Sequence, residues 1–158
     1  DYDMDGREEL FFHHGRYNLL IKPSAGGSLI EFDDRLLSRN LSDVLARRPE
    51  SYHRQKDQGP GQSGKSIHEQ AKELPPDAAS LLRYDWHPRH SLLDHFLHPQ
   101  TTRERFRAVD YSEQGDFVNQ EYGFTLEGSS AVLSRRGHIW LGRERLPVRV
   151  DKIGSAPV

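Results

Sequence analysis

The chain has 158 residues, 34% of them apolar and 29% charged, with a formal net charge of -2. That balance lacks the basic excess of a nucleic-acid binder, and no apolar run approaches the ~18 residues of a membrane span. With no cysteine there are no disulfides, thiolate metal sites or thiol nucleophiles, and the length suits one domain. No charged-then-apolar leader stands ahead of Asp1, which points to a cytoplasmic location. The chain opens without an initiator Met and stops just after a strand-like run, so a piece of a longer protein is expected.

The first elements are short and β-prone. Leu10-Phe11-Phe12 and Tyr17-Asn18-Leu19-Leu20-Ile21 flank His14-Gly15 and predict a hairpin. Pro23-Ser24-Ala25-Gly26-Gly27 is a turn, and Ser28–Asp33 alternates as a third strand. Strict alternation would put Leu29 with Glu31 on one face and Ile30 with Phe32 on the other. Leu37, Leu41, Val44 and Leu45 then fall on one face of a helix, with Asn40 or Ser42 as its cap. Residues 57–66, rich in Gly, Gln and Ser, have no period and predict a mobile loop.

Residues 83–99 mix aromatic, charged and apolar side chains. Leu92, Leu93, Phe96 and Leu97 are too apolar for a solvated loop; their spacing fits a helix about as well as a strand, and the all-β neighbourhood favours a buried strand. Asp94 and His95 would then need partners, with Arg89 and His90 nearest in sequence. Thr101 and Glu104 have capping-box spacing and predict a helical turn over 102–107. Four more strands follow over 116–127, 131–135, 138–141 and 146–152, with Gly128, Gly137 and Gly142 between them. The pattern predicts an all-β sandwich of about seven strands with one or two short helices.

Two clusters carry chemistry. Asp1, Asp3, Asp5 and Glu9, with Gly6 in the turn, have the spacing by which alternating carboxylates converge on calcium. The twelve-residue EF-hand pattern fails, since Phe12 stands where its last carboxylate belongs. Beyond Ca2+, no cofactor is required by any motif. Tyr84, Trp86, Arg89, Asp94 and His95 combine rings that stack on a sugar with groups that hydrogen-bond its hydroxyls. The pairs His87/His90 and His95/His98 lack cysteine or a helical His-Glu-x-x-His context for zinc. Gly64-Lys65-Ser66 is only a fragment of a phosphate loop, and no Gly-x-Ser-x-Gly elbow is present.

An ordered series of segments spans nearly the whole chain. It runs from Asp1-Tyr2-Asp3-Met4-Asp5-Gly6-Arg7-Glu8-Glu9-Leu10 through Pro23–Phe32, Asn40–His53 and Ser66-Ile67-His68. It continues with Tyr84-Asp85-Trp86, Arg89–Leu97 and Gly115–Asn119. The series resembles the C-terminal β-domain of glycoside hydrolase family 57 enzymes, the α-amylase and 4-α-glucanotransferase type. The resemblance implies the N-terminal half of a galactose-mutarotase-like β-supersandwich, following a catalytic (β/α)7 barrel that holds the catalytic carboxylates. It therefore implies a non-catalytic module whose partners are the barrel of its own parent chain and an α-glucan or maltooligosaccharide, with a homodimer as a further arrangement. A calcium-dependent carbohydrate-binding module and a mutarotase-like sugar epimerase stand as the alternatives.

Overall fold

The structure is a computed structural model that describes residues 1–42, 47–50 and 81–155. It divides into two compact units, Asp1–Leu45 with His87–Val158, and Ala46–Trp86. The glycine-rich stretch 57–66 lies outside the described residues.

The larger unit is all-β. Strands β1 (Leu10–His13), β2 (Tyr17–Lys22), β3 (Ser28–Asp34) and β4 (Arg39–Asn40) form one antiparallel sheet in chain order. Strands β5 (Gly123–Glu127), β6 (Ser130–Leu141) and β7 (Glu144–Ser155) form a second. The helix α1 (Arg103–Ala108) lies in the connection between them. No described helix is long and apolar enough to cross a membrane.

The expected first hairpin is present, closed by the His14 N–H donating to the Tyr17 carbonyl at 2.8 Å. In β3 the structure corrects the expected faces. Leu20 pairs with Glu31 but Ile21 pairs with Leu29, so Ile30 is the extra residue of a bulge. A bulge inverts the alternation beyond it. Leu29 and Phe32 consequently share one face with Leu10, Phe12, Leu19 and Ile21. That face meets the second sheet: Leu10 and Ile21 pack in one cluster with Ala131, Leu133, Phe117 and Tyr122. Phe12, Leu19, Ile21 and Phe32 also line an apolar cleft of about 150 Å3 that reaches Gly154 and Ser155 of β7.

The helix expected through Leu37 and Leu41 is absent from the described residues. Asp34, 1% exposed, accepts from the Leu36 and Leu37 amides at 3.0 and 3.1 Å and so ties residues 35–38 into a turn. Ser38 adopts φ 50°, and β4 then pairs back on Asp33 and Asp34. The side-chain oxygen of Asn40 accepts from Ser42 N at 2.9 Å. Residues 43–46 lie outside the described set.

The segment 92–97 is not a strand. Leu92 sits at φ 65° and is 55% exposed, which interrupts any extended run, and only isolated bridges form, Leu29 with Ser91 and Leu97 with Glu113. Phe96 still reaches the core, 5.0 Å from the Phe117 ring. The helix begins one residue later than the capping box suggests. Its N-cap is Thr102, whose hydroxyl accepts from Arg105 N at 3.3 Å.

Gly137 does not separate two strands; β6 runs through it, paired with Val148 of β7. A methyl group there would meet Asp116 Oδ1 at 2.2 Å and the Phe117 ring at 2.8 Å. The glycine is the gap into which the preceding loop packs on the sheet.

One half-buried ammonium joins the two sheets and that loop. Lys152 of β7 donates to the carbonyls of Gly26 at 2.6 Å, Gly27 at 3.3 Å and Leu92 at 2.5 Å. It also pairs with Asp94 at 2.7 Å and lies 4.5 Å from the Tyr122 ring centre. The Tyr122 hydroxyl donates to the same Asp94 oxygen at 2.6 Å. Asp94 thus takes its partners from Lys152 of β7 and from Tyr122, just ahead of β5, and not from Arg89 or His90. Burial, then the hydrogen bond to Asp94 and its charge, hold the Tyr122 phenol well above its ordinary range. Burial pulls the Lys152 ammonium downward.

Two predictions follow from this packing. Gly137→Ala should destabilise the protein by about 1–3 kcal/mol in denaturant unfolding, as overpacking does. The native Tyr122 keeps its proton where an unfolded phenol loses it, above about pH 10. The native state then binds more protons, so stability falls as pH rises through that range. Tyr122→Phe should flatten the fall between pH 9 and 11, measured as the difference from wild type.

Candidate functional site

The acidic loop is local in origin. Three aspartates at alternate positions accept from backbone amides just ahead of them: Gly6 N to Asp1 at 2.9 Å, Asp5 N to Asp3 at 3.3 Å, and Arg7 N to Asp5 at 2.8 Å. The loop runs directly into β1, and Glu9 is drawn back under it, accepting from Tyr2 N at 2.6 Å. Ligand oxygens of Asp1, Asp3, Asp5 and Glu9 all lie within 4.8 Å of one another. Lys22, at the end of β2, donates to Asp5 at 2.6 Å and also to Asp3. These hydrogen bonds push the Lys22 ammonium up and the Asp5 carboxyl down. The Glu9 side chain is 2% exposed, and its Oε1 has no hydrogen-bond partner. A hard cation satisfies such an oxygen, so this donor set fits calcium.

The five residues expected to contact sugar divide between the two units. Tyr84 and Trp86, both exposed, belong to the smaller unit, and Arg89, Asp94 and His95 to the larger. In the smaller unit Asp85 is held by Arg47, with Nε donating at 2.7 Å and the Asp85 amide returning to the Arg47 carbonyl at 2.9 Å. In the larger unit Arg89 is exposed, Asp94 belongs to the Lys152 node, and His95 turns to Glu113. Its Nδ1 lies 2.7 Å from Glu113 Oε2, while Glu113 Oε1 accepts from Phe96 N at 2.6 Å. The His95 ring packs edge-on against Phe106 and Tyr111, with His87 4.9 Å away. This is a packed aromatic cluster, and its two histidines meet rings and Glu113.

A set of residues that the sequence reading passed over lies on the outer face of the β6–β7 ribbon. Trp140 is 40% exposed and pairs across the ribbon with Arg145, whose guanidinium carbon is 5.8 Å from the indole centre. Arg145 also donates to His138 Nδ1 at 2.9 Å. Asp116 Oδ1 accepts from His138 N at 2.7 Å, and its Oδ2 lies 3.7 Å from the imidazole. The signal available in sequence was the alternation of His138 and Trp140, but the partners Arg145 and Asp116 come together only through strand register.

Residues 1–155 match the family model described as "Alpha-amylase/4-alpha-glucanotransferase, C-terminal". The chain is 38% identical over 157 residues to a 4-alpha-glucanotransferase of Thermococcus litoralis, covering 96% of this chain and 24% of that protein. It is 39% identical over 144 residues to an alpha-amylase of Pyrococcus abyssi, covering 88% of this chain and 22% of that one. The crystal structure of the 4-alpha-glucanotransferase from Thermococcus litoralis superposes with a TM-score of 0.80 at 36% identity, over 96% of this chain and 22% of that chain. The chain thus spans about a quarter of the length of the curated relatives it matches. With this match along nearly all of its length, and with two antiparallel sheets in place, the chain belongs to the alpha-amylase/4-alpha-glucanotransferase C-terminal domain family.

Proposed function

We propose that the chain is the non-catalytic C-terminal β-module of an α-glucan-acting hydrolase or 4-α-glucanotransferase of the glycoside hydrolase family 57 type. The two sheets are read as part of a galactose-mutarotase-like supersandwich that braces the catalytic barrel of the parent chain. The observation that carries this is the match of residues 1–155 to a C-terminal family, within relatives about four times as long. The site chemistry supports it. Glycoside hydrolysis needs two carboxyl groups facing each other across a cleft. Here Asp34 is committed to Arg16, Asp94 to Lys152 and Tyr122, Glu113 to His95 and the Phe96 amide, and Glu9 belongs to the acidic loop.

The parent enzyme should release or transfer maltooligosaccharides from α-1,4-glucan, and residues 1–158 alone should not. Turnover of starch or maltoheptaose by residues 1–158 would refute the non-catalytic role. A parent that loses no thermal resistance when this module is deleted would refute the bracing role.

A second reading, additional to the first, is favoured by the orphaned Glu9 oxygen: the loop at Asp1, Asp3, Asp5 and Glu9 holds a structural calcium ion. Calcium would tie the start of β1 to the loop, and Lys22 would yield part of its hold on Asp3 and Asp5 to the ion. Calcium at 100 times its Kd should stabilise the native state by about 2.7 kcal/mol. We expect millimolar calcium to raise the melting temperature of the parent above its value in chelator, and Asp3→Ala to remove that difference. Equal melting curves with calcium and with chelator would exclude the ion.

A further inference from the structure

We propose that the outer face of the β6–β7 ribbon around Trp140 is an α-1,4-glucan-binding platform, distinct from the Tyr84–His95 stretch that the sequence suggests. The inference rests on the α-glucan reading above for the class of ligand; the position of the platform comes from the geometry.

Trp140 is not needed by the core. Its neighbour Ile139 packs on the buried cluster together with Val148 and Val150, whereas the indole is 40% exposed. The ring is therefore available at the surface, with its polar neighbours ranged beside it. The ribbon that presents it is held firmly. Trp140 N donates to the Gln114 carbonyl at 2.8 Å, Gly115 bridges to Ile139, and Asp116 N reaches the His138 carbonyl at 3.3 Å. A ring on a braced strand loses little freedom when a flat ligand stacks on it.

The groups beside the ring suit a neutral polyol. A pyranose presents an apolar C–H face to an aromatic ring and hydroxyls around its rim. Arg145, opposite Trp140, supplies a fork of donors at the ring edge. His138 accepts from Arg145 through Nδ1, so its neutral tautomer carries the proton on Nε2, a second donor. Asp116 Oδ2 takes no hydrogen bond among the described residues and supplies an acceptor. Donors and an acceptor of balanced charge around one indole match hydroxyl pairs better than they match an anion. Arg149, on the same face further along, is already paired with Asp151 at 2.8 Å.

The test uses the full parent enzyme, with affinity electrophoresis in amylose-containing gels and the ratio of KM for amylose to KM for maltotriose. Trp140→Ala should weaken amylose retardation by about three- to tenfold, the size expected for loss of one stacking contact, and should raise the KM ratio. Trp140→Phe should retain most of the binding, which guards against a change of fold. Ile153→Ala, an exposed apolar residue elsewhere on the ribbon, should leave retardation as it was. Unchanged retardation and KM ratio in Trp140→Ala would overturn the platform, as would a loss confined to Trp86→Ala. A lower melting temperature of Trp140→Ala with unchanged retardation would place the ring against the rest of the parent and overturn it equally. A parent that neither binds nor converts any α-glucan would instead overturn the functional reading on which the ligand class rests.

Discussion

The Lys152 ammonium is the constraint around which the larger unit is assembled. It reaches from β7 to the carbonyls of the β2–β3 turn and of Leu92, and to the Asp94 carboxylate. Each of those oxygens belongs to irregular backbone that has no ladder to satisfy it. A single cation therefore does for the centre what hydrogen-bonded strands do elsewhere. It fixes where the turn, the loop and the second sheet meet, and Tyr122 closes the arrangement by spending its hydroxyl on Asp94. The charge itself is costly to bury, which is why four oxygens and a ring face gather around it.

Much of the fold was legible because it is local. The first hairpin, the third strand and the β6–β7 ribbon announce themselves through β-prone runs punctuated by turn residues. What was not legible depends on partners distant in sequence. The bulge at Ile30 has no residue signature; it arises because Ile21 must pair with Leu29 to keep both in the core. Leu37 and Leu41 do have helical spacing, but Ser38 turns left-handed between them and the chain pairs back on β3 as β4. Gly137 looks like a break and is instead a clearance for Phe117 and Asp116. Leu92 looks like core, yet its backbone turns left-handed and sends its carbonyl to Lys152.

The same division holds for the candidate sites. The acidic loop could be read directly, since its ligands lie within nine residues and its turns are made by those same aspartates. The expected sugar-contacting set Tyr84, Trp86, Arg89, Asp94 and His95 is equally contiguous, but it divides between the two units. Once the backbone is irregular, neighbours in sequence point to different partners: Asp94 to Lys152, His95 to Glu113. Trp140, His138, Arg145 and Asp116 meet only after β6 and β7 are in register and the 114–116 segment is laid against them. An aromatic platform built from cross-strand pairs leaves almost no trace in a linear reading.

The ribbon has one further consequence. Among the described residues β7 is the outermost strand of the second sheet, so its twelve residues present an edge of the kind that recruits further strands. The edge carries its own defences. Pro147 removes an amide donor near the middle of the row, and Arg145, Arg149 and Asp151 place charge along it. These residues touch little of the core, yet they deter the self-templating that would turn an exposed ribbon into a nucleus for fibrils. A proline in the midst of an otherwise regular strand suits that outermost position, where its missing amide leaves no ladder bond unmade.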